Sequence, residues 1–109
     1  MVQFKRMSKE DIKNELRCVL AYMYTMAYII GYDNYAEHTQ STHIEWDDLL
    51  DGYPSELVDF FWKAVEVGLV NDSGVNKEIE TSAHLGWTDA FIGREINKDY
   101  HLKYIGDLL

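Results

Sequence analysis

Eight carboxylates fall between residues 32 and 62, in a stretch that contains no lysine or arginine. The chain has a net charge of −9, of which this stretch carries −8, while residues 1–31 carry +2 and residues 63–109 carry −3. Carboxylates without neighbouring counter-ions repel each other and attract positively charged partners. We call residues 32–62 the acidic segment. Its carboxylates are Asp33, Glu37, Glu45, Asp47, Asp48, Asp51, Glu56 and Asp59.

Aromatic residues are interspersed with these carboxylates. The helical spacing predicts that Phe61 is buried, whereas Tyr35, Trp46 and Tyr53 are expected in or near loops, as is Tyr32. Aromatic side chains are enriched at binding hot spots, and fixed negative charge accelerates docking of a basic partner. We therefore predict a partner-binding site made of the eight carboxylates with Tyr35, Trp46 and Tyr53.

Spaced carboxylates can occupy the lysine and arginine sites at which another protein binds phosphate groups. The predicted partner is a basic, nucleic-acid-handling protein whose binding or catalytic surface this chain covers. Anti-restriction and anti-CRISPR proteins of phages or mobile elements have this size and charge, as do nuclease immunity proteins. A solvated acidic face without a partner also fits the sequence, because salt screens exposed charges over roughly 8 Å. Both interpretations stay open, as does pairing into a homodimer.

The residue types that support catalysis or metal binding lack the necessary spacing. None of the four histidines forms the helical i, i+4 pair with a supporting acid that is typical of a zinc site. We predict no catalytic residue, metal ion or cofactor, and no enzymatic activity. The single cysteine, Cys18, is expected to be a small core residue. With no leader sequence recognised, the lone cysteine favours the cytoplasm. The histidines are His38, His43, His84 and His101.

The apolar spacing predicts the elements that position these residues. Ser8 is expected to cap a long, central helix that Gly31 ends, followed by a loop over residues 32–43. A short helix is predicted over residues 44–50, and a helix that begins near Pro54 and ends at Gly68. Residues 71–74 are expected to form a turn. Asp99 is expected to cap a last helix.

Residues 78–97 resemble the helix-turn-helix segment of bacterial transcription regulators and transposases. Ser82 occupies the small position of the first helix, Gly86 the turn, and Ile92 the apolar position of the second helix. Independently, the capping residues predict a helix that begins at Thr88 or Asp89 and runs through residue 96, where the resemblance places its second helix. The resemblance also implies an alternative function, a DNA-binding regulator. The leading hypothesis involves no direct contact with nucleic acid.

Together these patterns predict one mostly α-helical domain over residues 1–109, a compact bundle of four to five helices. Residues 1–7 and 75–80 also fit short strands, so one short strand pair stays open. The run CVLAYMYTMAYII, residues 18–30, is shorter than the ~20 residues that span a bilayer. It predicts a buried core helix and no membrane insertion.

Overall fold

The computed structural model describes residues 8–36, 46–51 and 54–105. Within these ranges the chain forms five α-helices and no strand. The predicted mostly helical bundle with a long first helix is confirmed. Residues 75–80 belong to a helix, and residues 1–7 lie outside the described ranges. The helices are α1 (Lys9–Ala36), α2 (Trp46–Leu50), α3 (Ser55–Glu66), α4 (Asp72–Phe91) and α5 (Leu102–Ile105).

Helix α1 begins where the sequence predicts and ends later. The Asp11 backbone N–H donates to Ser8 Oγ at 3.1 Å, which confirms the N-terminal cap. Gly31 does not end the helix, which continues to Ala36, so Tyr32 and Tyr35 lie on α1 and not in a loop. At about 1.5 Å per residue, its 28 residues set the long dimension of the molecule, 46 Å.

Two glycines allow the backbones of α1 and α4 to approach closely. A Cβ atom at Gly31 would lie 2.6 Å from the carbonyl carbon of Ala83, and closer still to its oxygen. A Cβ atom at Gly86 would lie 2.9 Å from both the Tyr28 carbonyl carbon and the Tyr32 nitrogen. Real Cβ atoms do not come this close to backbone atoms, so only glycine fits either position. These glycines are sites of helix packing, and the predicted stop at Gly31 is wrong.

Helix α3 begins after Pro54 and ends at a glycine, as the sequence predicts. Gly68 has φ +81°, a conformation that favours glycine. The Gly68 N–H donates to the Val65 carbonyl at 3.1 Å, and the Leu69 N–H donates to the Ala64 carbonyl at 3.0 Å. This pair of hydrogen bonds is the Schellman motif, which satisfies the last carbonyls of the helix.

Helix α4 replaces several of the predicted elements. Asn71 caps it by accepting a hydrogen bond from the Gly74 N–H at 3.2 Å, so the predicted turn at 71–74 is wrong. The same hydrogen bond from a backbone N–H to an Asn side chain occurs in Asx turns and at the start of helices. The sequence alone therefore does not show whether Asn71 begins a turn or a helix. The helix continues through Gly86 and Thr88 to Phe91, and Gly93, at φ +81°, follows its end.

Tyrosine side chains hold the segment after α4 against α1 and α4. The Asn97 N–H donates to Tyr28 Oη at 3.0 Å, and the ring of Tyr28 stacks on that of Tyr100 with centroids 4.4 Å apart. Tyr100 Oη donates to Ser82 Oγ at 2.9 Å, and Tyr104 Oη donates to Glu78 at 2.8 Å. These hydrogen bonds fix a segment whose described residues form one short helix, α5.

The core draws on α1, α2, α3 and α4. Cys18 is not part of it: the prediction of a small core residue is wrong, because this side chain is exposed. The core-facing stripe of α1 passes through residues 16, 19, 23 and 27, and Cys18 lies beside it. The most completely buried apolar residues are Met23, Ala27, Tyr28, Leu50, Phe61, Ala64 and Ile79.

Candidate interaction surface

The carboxylates of the acidic segment that the structure describes are exposed. Three lie on or directly after α2 and two lie on α3, and we call these five the acidic surface; the sixth, Asp33, is exposed on the last turns of α1. The predictions for Glu37, Glu45 and Tyr53 fall outside the described residues. The acidic surface consists of Asp47, Asp48, Asp51, Glu56 and Asp59.

Most of these carboxylates have no ion pair within the described part of the chain. The ion pairs found there join Lys63 to Glu66 at 4.0 Å and Arg94 to Asp89 at 3.7 Å. Neither includes a carboxylate of the acidic surface. Asp47, Asp51, Glu56 and Asp59 therefore form no ion pair with a described residue, and their exposed negative charge attracts cations.

Trp46 does not belong to an exposed binding site. It begins α2 with only 4% of its surface exposed. Its ring packs on Phe61 of α3 with centroids 4.6 Å apart, and its backbone N–H donates to Asn76 Oδ1 at 2.9 Å. The prediction that Trp46 lies exposed near a loop is wrong, because its indole packs on α3 and its backbone N–H is hydrogen-bonded to α4.

Among the described residues of the acidic segment, Trp62 is the exposed aromatic residue, and it is not one of the residues predicted for the binding site. Its side chain is 53% exposed, and its ring meets Trp46 edge-on at 4.8 Å. Asp59 lies three residues before it and Glu66 four residues after it, spacings that put all three on one side of α3. The spacing that buries Phe61 also implies that its neighbour Trp62 points away from the core, so the signal was present.

Tyr35 contacts a different part of the molecule. Its half-buried ring meets Trp87 edge-on at 5.1 Å and Phe91 at 5.9 Å, both on α4. The structure therefore divides the predicted site in two. Asp59 of α3 lies beside Trp62, whereas Tyr35 joins an aromatic cluster on α4.

The predicted helix-turn-helix geometry is absent from residues 78–97. Gly86, the predicted turn, is buried inside the continuous helix α4, and Thr88 and Asp89 cap no second helix. Thr88 Oγ1 instead donates to the His84 carbonyl at 2.8 Å within the same helix. The sequence does not distinguish a glycine at a turn from a glycine that admits another helix. DNA binding by this segment stays a prediction, without the geometry that suggested it.

Asp89 is a buried carboxylate that the sequence analysis assigned to a cap. It accepts a hydrogen bond from Tyr28 Oη at 2.7 Å and forms the ion pair with Arg94. Burial, followed by the hydrogen bond to Asp89, raises the pKa of Tyr28 above its ordinary value. Tyr28 therefore stays a neutral donor, and this group of residues stabilises the packing of α1 on α4.

Burial also raises the pKa of two other tyrosines beside α4. The pKa of Tyr24 rises to about 12, with a smaller contribution from the nearby charge of Glu78. The pKa of Tyr104 is raised as well, chiefly by burial. All these hydroxyls remain protonated near neutral pH, which suits the hydrogen bonds that Tyr28 and Tyr104 donate.

Across residues 8–36, 46–51 and 54–105, no three histidine, cysteine, aspartate or glutamate side chains group closely enough to hold a metal ion. None of the helices in these ranges has the length and apolar character needed to cross a bilayer. Comparisons with protein-family models, with curated proteins and with solved structures find no match. The interpretation of the acidic surface therefore depends on its own residues.

Proposed function

We propose that this chain is a small acidic inhibitor that binds a basic, nucleic-acid-handling protein through its acidic surface. Binding covers the lysine and arginine residues with which the partner holds or cleaves nucleic acid. The proposal includes the classes that the composition suggests, anti-restriction or anti-CRISPR proteins of phages and mobile elements, and immunity proteins of nuclease toxins. It involves no catalysis by the chain itself.

One observation carries the proposal: the exposed carboxylates Asp47, Asp51, Glu56 and Asp59 have no ion pair with the described residues. Their mutual repulsion costs the fold some stability. A positively charged partner surface would remove that repulsion. The acidic surface would also attract that partner surface over distances of about 8–10 Å at physiological salt.

Trp62 supplies what the carboxylates lack, a large apolar contact. Interfaces combine a central aromatic anchor with a polar rim, and most of the binding energy comes from the anchor. Trp62 is exposed between Asp59 and Glu66 on α3. An arginine side chain can stack on an indole and bind a neighbouring carboxylate with its two-pronged guanidinium. This arrangement suits an arginine-rich partner surface.

Inhibition follows from competition for the same cations. A phosphate backbone and a row of carboxylates both bind lysine and arginine through charge-assisted hydrogen bonds. A protein that occupies those residues prevents nucleic acid from binding. The complex should weaken as salt rises, because added ions screen the attraction.

The proposal is tested by affinity capture from the native host at low salt and at about 0.5 M salt, with recovered proteins identified by mass spectrometry. We expect a basic protein that is recovered at low salt and lost at high salt. We expect the affinity for this partner to fall at least about tenfold in a variant with the substitutions Asp47→Asn, Asp51→Asn, Glu56→Gln and Asp59→Asn.

The matched control removes the same number of charges elsewhere, through Glu10→Gln, Glu80→Gln, Glu95→Gln and Asp99→Asn. These four side chains are exposed and lie outside the acidic segment. We expect the control to retain the partner within about twofold, because its acidic surface is intact. Equal loss in both variants, or no basic protein captured at low salt, would overturn the proposal.

A further inference from the structure

The outward side of the second half of α4 is a second exposed surface, with a character opposite to that of α2 and α3. Phe91 is 60% exposed and Ile92 is 52% exposed. Leu85 lies about two helical turns before Ile92 and is also exposed. Residues three, four and seven positions apart share one side of a helix. We call this side the α4 face, and it consists of Thr81, His84, Leu85, Thr88, Phe91 and Ile92.

The α4 face has no fixed charge, in a chain whose net charge is −9. Between Thr81 and Gly93 the only aspartate, glutamate, lysine or arginine is Asp89. That carboxylate is turned inward, where it accepts the Tyr28 hydrogen bond and pairs with Arg94. The charged residues Lys77 and Glu80 are exposed on the first half of the helix, where they border this face about one turn before Thr81 and His84.

Phe91 is exposed and yet held in place. Its ring stacks on Trp87 at 5.4 Å with planes 10° apart, and Tyr35 of α1 meets both rings edge-on. An aromatic ring that is already ordered loses little conformational freedom on binding, so its burial contributes more net affinity. This cluster has the properties of a binding anchor.

We propose that two copies of this chain pair through the α4 face. A basic partner has no reason to choose this surface, because it offers no carboxylate. Two copies, in contrast, repel each other through most of their surfaces, since each carries −9. They approach at the lowest electrostatic cost where both are uncharged and apolar, and a two-fold dimer brings the same patch of each copy together.

This pairing is independent of the proposed inhibitor function and of its acidic surface. In the dimer the Phe91 and Ile92 side chains are buried against the partner copy. Two acidic surfaces would then be presented by one particle, which increases affinity for a partner with two basic sites.

The salt dependence distinguishes this contact from binding to a basic partner. Salt screens the repulsion between two acidic chains, so it should strengthen the dimer while it weakens the complex with the basic protein. Sedimentation equilibrium of the full chain, at about 5–300 µM in low and about 0.5 M salt, measures this directly. We expect the mass to rise from 12.7 kDa toward twice that value, at lower protein concentration when salt is high.

Two variants and a matched control locate the contact. Phe91→Glu and Ile92→Glu each place a charge on the α4 face, and each should raise the dimer dissociation constant at least about tenfold. Ile92 lies outside the aromatic cluster, so its substitution tests the surface even if Phe91→Glu disturbs the fold. Val67→Glu and Leu69→Glu alter residues of similar exposure, 51% and 52%, outside the α4 face, and should leave the dimer intact.

A mass of 12.7 kDa at every concentration and salt would overturn the proposal. It would also be overturned by a dimer that the control variants weaken as strongly as Phe91→Glu and Ile92→Glu do. Neither result would bear on the acidic surface, since the capture experiment with its neutralised variant tests that surface separately.

Discussion

The α1–α4 crossing and the acidic surface differ in how closely their residues contact the rest of the molecule. At the crossing, Gly31 and Gly86 let two backbones approach to distances that exclude any side chain, and Tyr28 and Asp89 pair beside them. On α2 and α3, carboxylates extend into solvent, and four of them form no described ion pair. The first region specifies the fold, and the second contributes exposed negative charge on the surface.

From this difference we predict which substitutions should affect stability and which should affect binding. Backbone atoms of the facing helix lie directly against Gly31 and Gly86, so small changes there should unfold the protein. Asp47, Asp51, Glu56 and Asp59 are exposed and form no described ion pair, so their removal should leave the fold intact. Four predictions test this division, beginning with the largest effect.

Adding one methyl group at the crossing should have the largest effect. Gly86→Ala or Gly31→Ala places a Cβ against the backbone of the other helix, which cannot move without separating the helices. We expect a loss of more than about 4 kcal/mol in the free energy of unfolding, which is exceptional for one substitution. Chemical denaturation followed by circular dichroism measures it. Gly74→Ala is the control, because its nearest neighbour is 3.9 Å away, and a similar loss there would refute the explanation.

The two tryptophans that touch each other should respond in opposite ways. Trp46→Ala empties a buried site between α2 and α3, and we expect a loss of about 3–5 kcal/mol in unfolding free energy. Trp62→Ala removes a half-exposed ring, and we expect a loss of about 1 kcal/mol or less, with affinity for the basic partner reduced at least about tenfold. Equal stability losses, or unchanged partner affinity in Trp62→Ala, would contradict the assignment of these roles.

Alkaline pH should destabilise the region around α4. The pKa of Tyr24 is raised from 10.0 to about 12, and those of Tyr28 and Tyr104 are raised too. A raised tyrosine pKa means that the folded state favours the neutral form. Its contribution is complete below pH 10, the unfolded value, and is lost as pH rises through the folded value near 12.

Urea denaturation at about pH 8, 10 and 11.5 measures this dependence through the change in unfolding midpoint. We expect a constant midpoint below pH 10 and a decline above it. Tyr24→Phe should decline less steeply, because it removes one of the titrating hydroxyls. A midpoint that holds up to pH 12, or an unchanged slope in Tyr24→Phe, would contradict the role of these tyrosines.

The smallest effect on stability should come from the acidic surface. The fourfold substitution of Asp47, Asp51, Glu56 and Asp59 removes mutual repulsion, and we expect it to change unfolding free energy by less than about 1 kcal/mol, in the stabilising direction. Thermal denaturation at low salt measures the change. A loss of stability larger than that would mean that these carboxylates hold the fold together.

The sequence predicted the features that depend on neighbouring residues. The Ser8 cap, the start of α3 near Pro54 and the end of α3 at Gly68 are confirmed, because each uses hydrogen bonds within a few residues of the chain. Exposure of Asp47 and Asp51 was predictable for the same reason, since charged side chains remain in water unless they are paired.

The features that depend on distant residues were not predictable. Gly31 and Gly86 look like ordinary helix stops or turns until α1 and α4 are known to cross, and that crossing is decided by residues far apart in the chain. Trp46 and Trp62 belong to one acidic segment, yet their burial differs because Trp46 packs inward on Phe61 and Trp62 points away from the core. The sequence suggests a helix cap at Asp89, because it does not reveal that the hydrogen-bond partner, Tyr28, lies on another helix.

The most direct test of the central claim measures partner affinity for three forms of the chain: the native protein, the fourfold neutral variant of the acidic surface, and the control variant neutralised elsewhere. The claim predicts that the surface variant loses at least about tenfold in affinity at low salt, while the control stays within about twofold of the native protein. Equal affinities for all three, or equal losses for both variants, would contradict it.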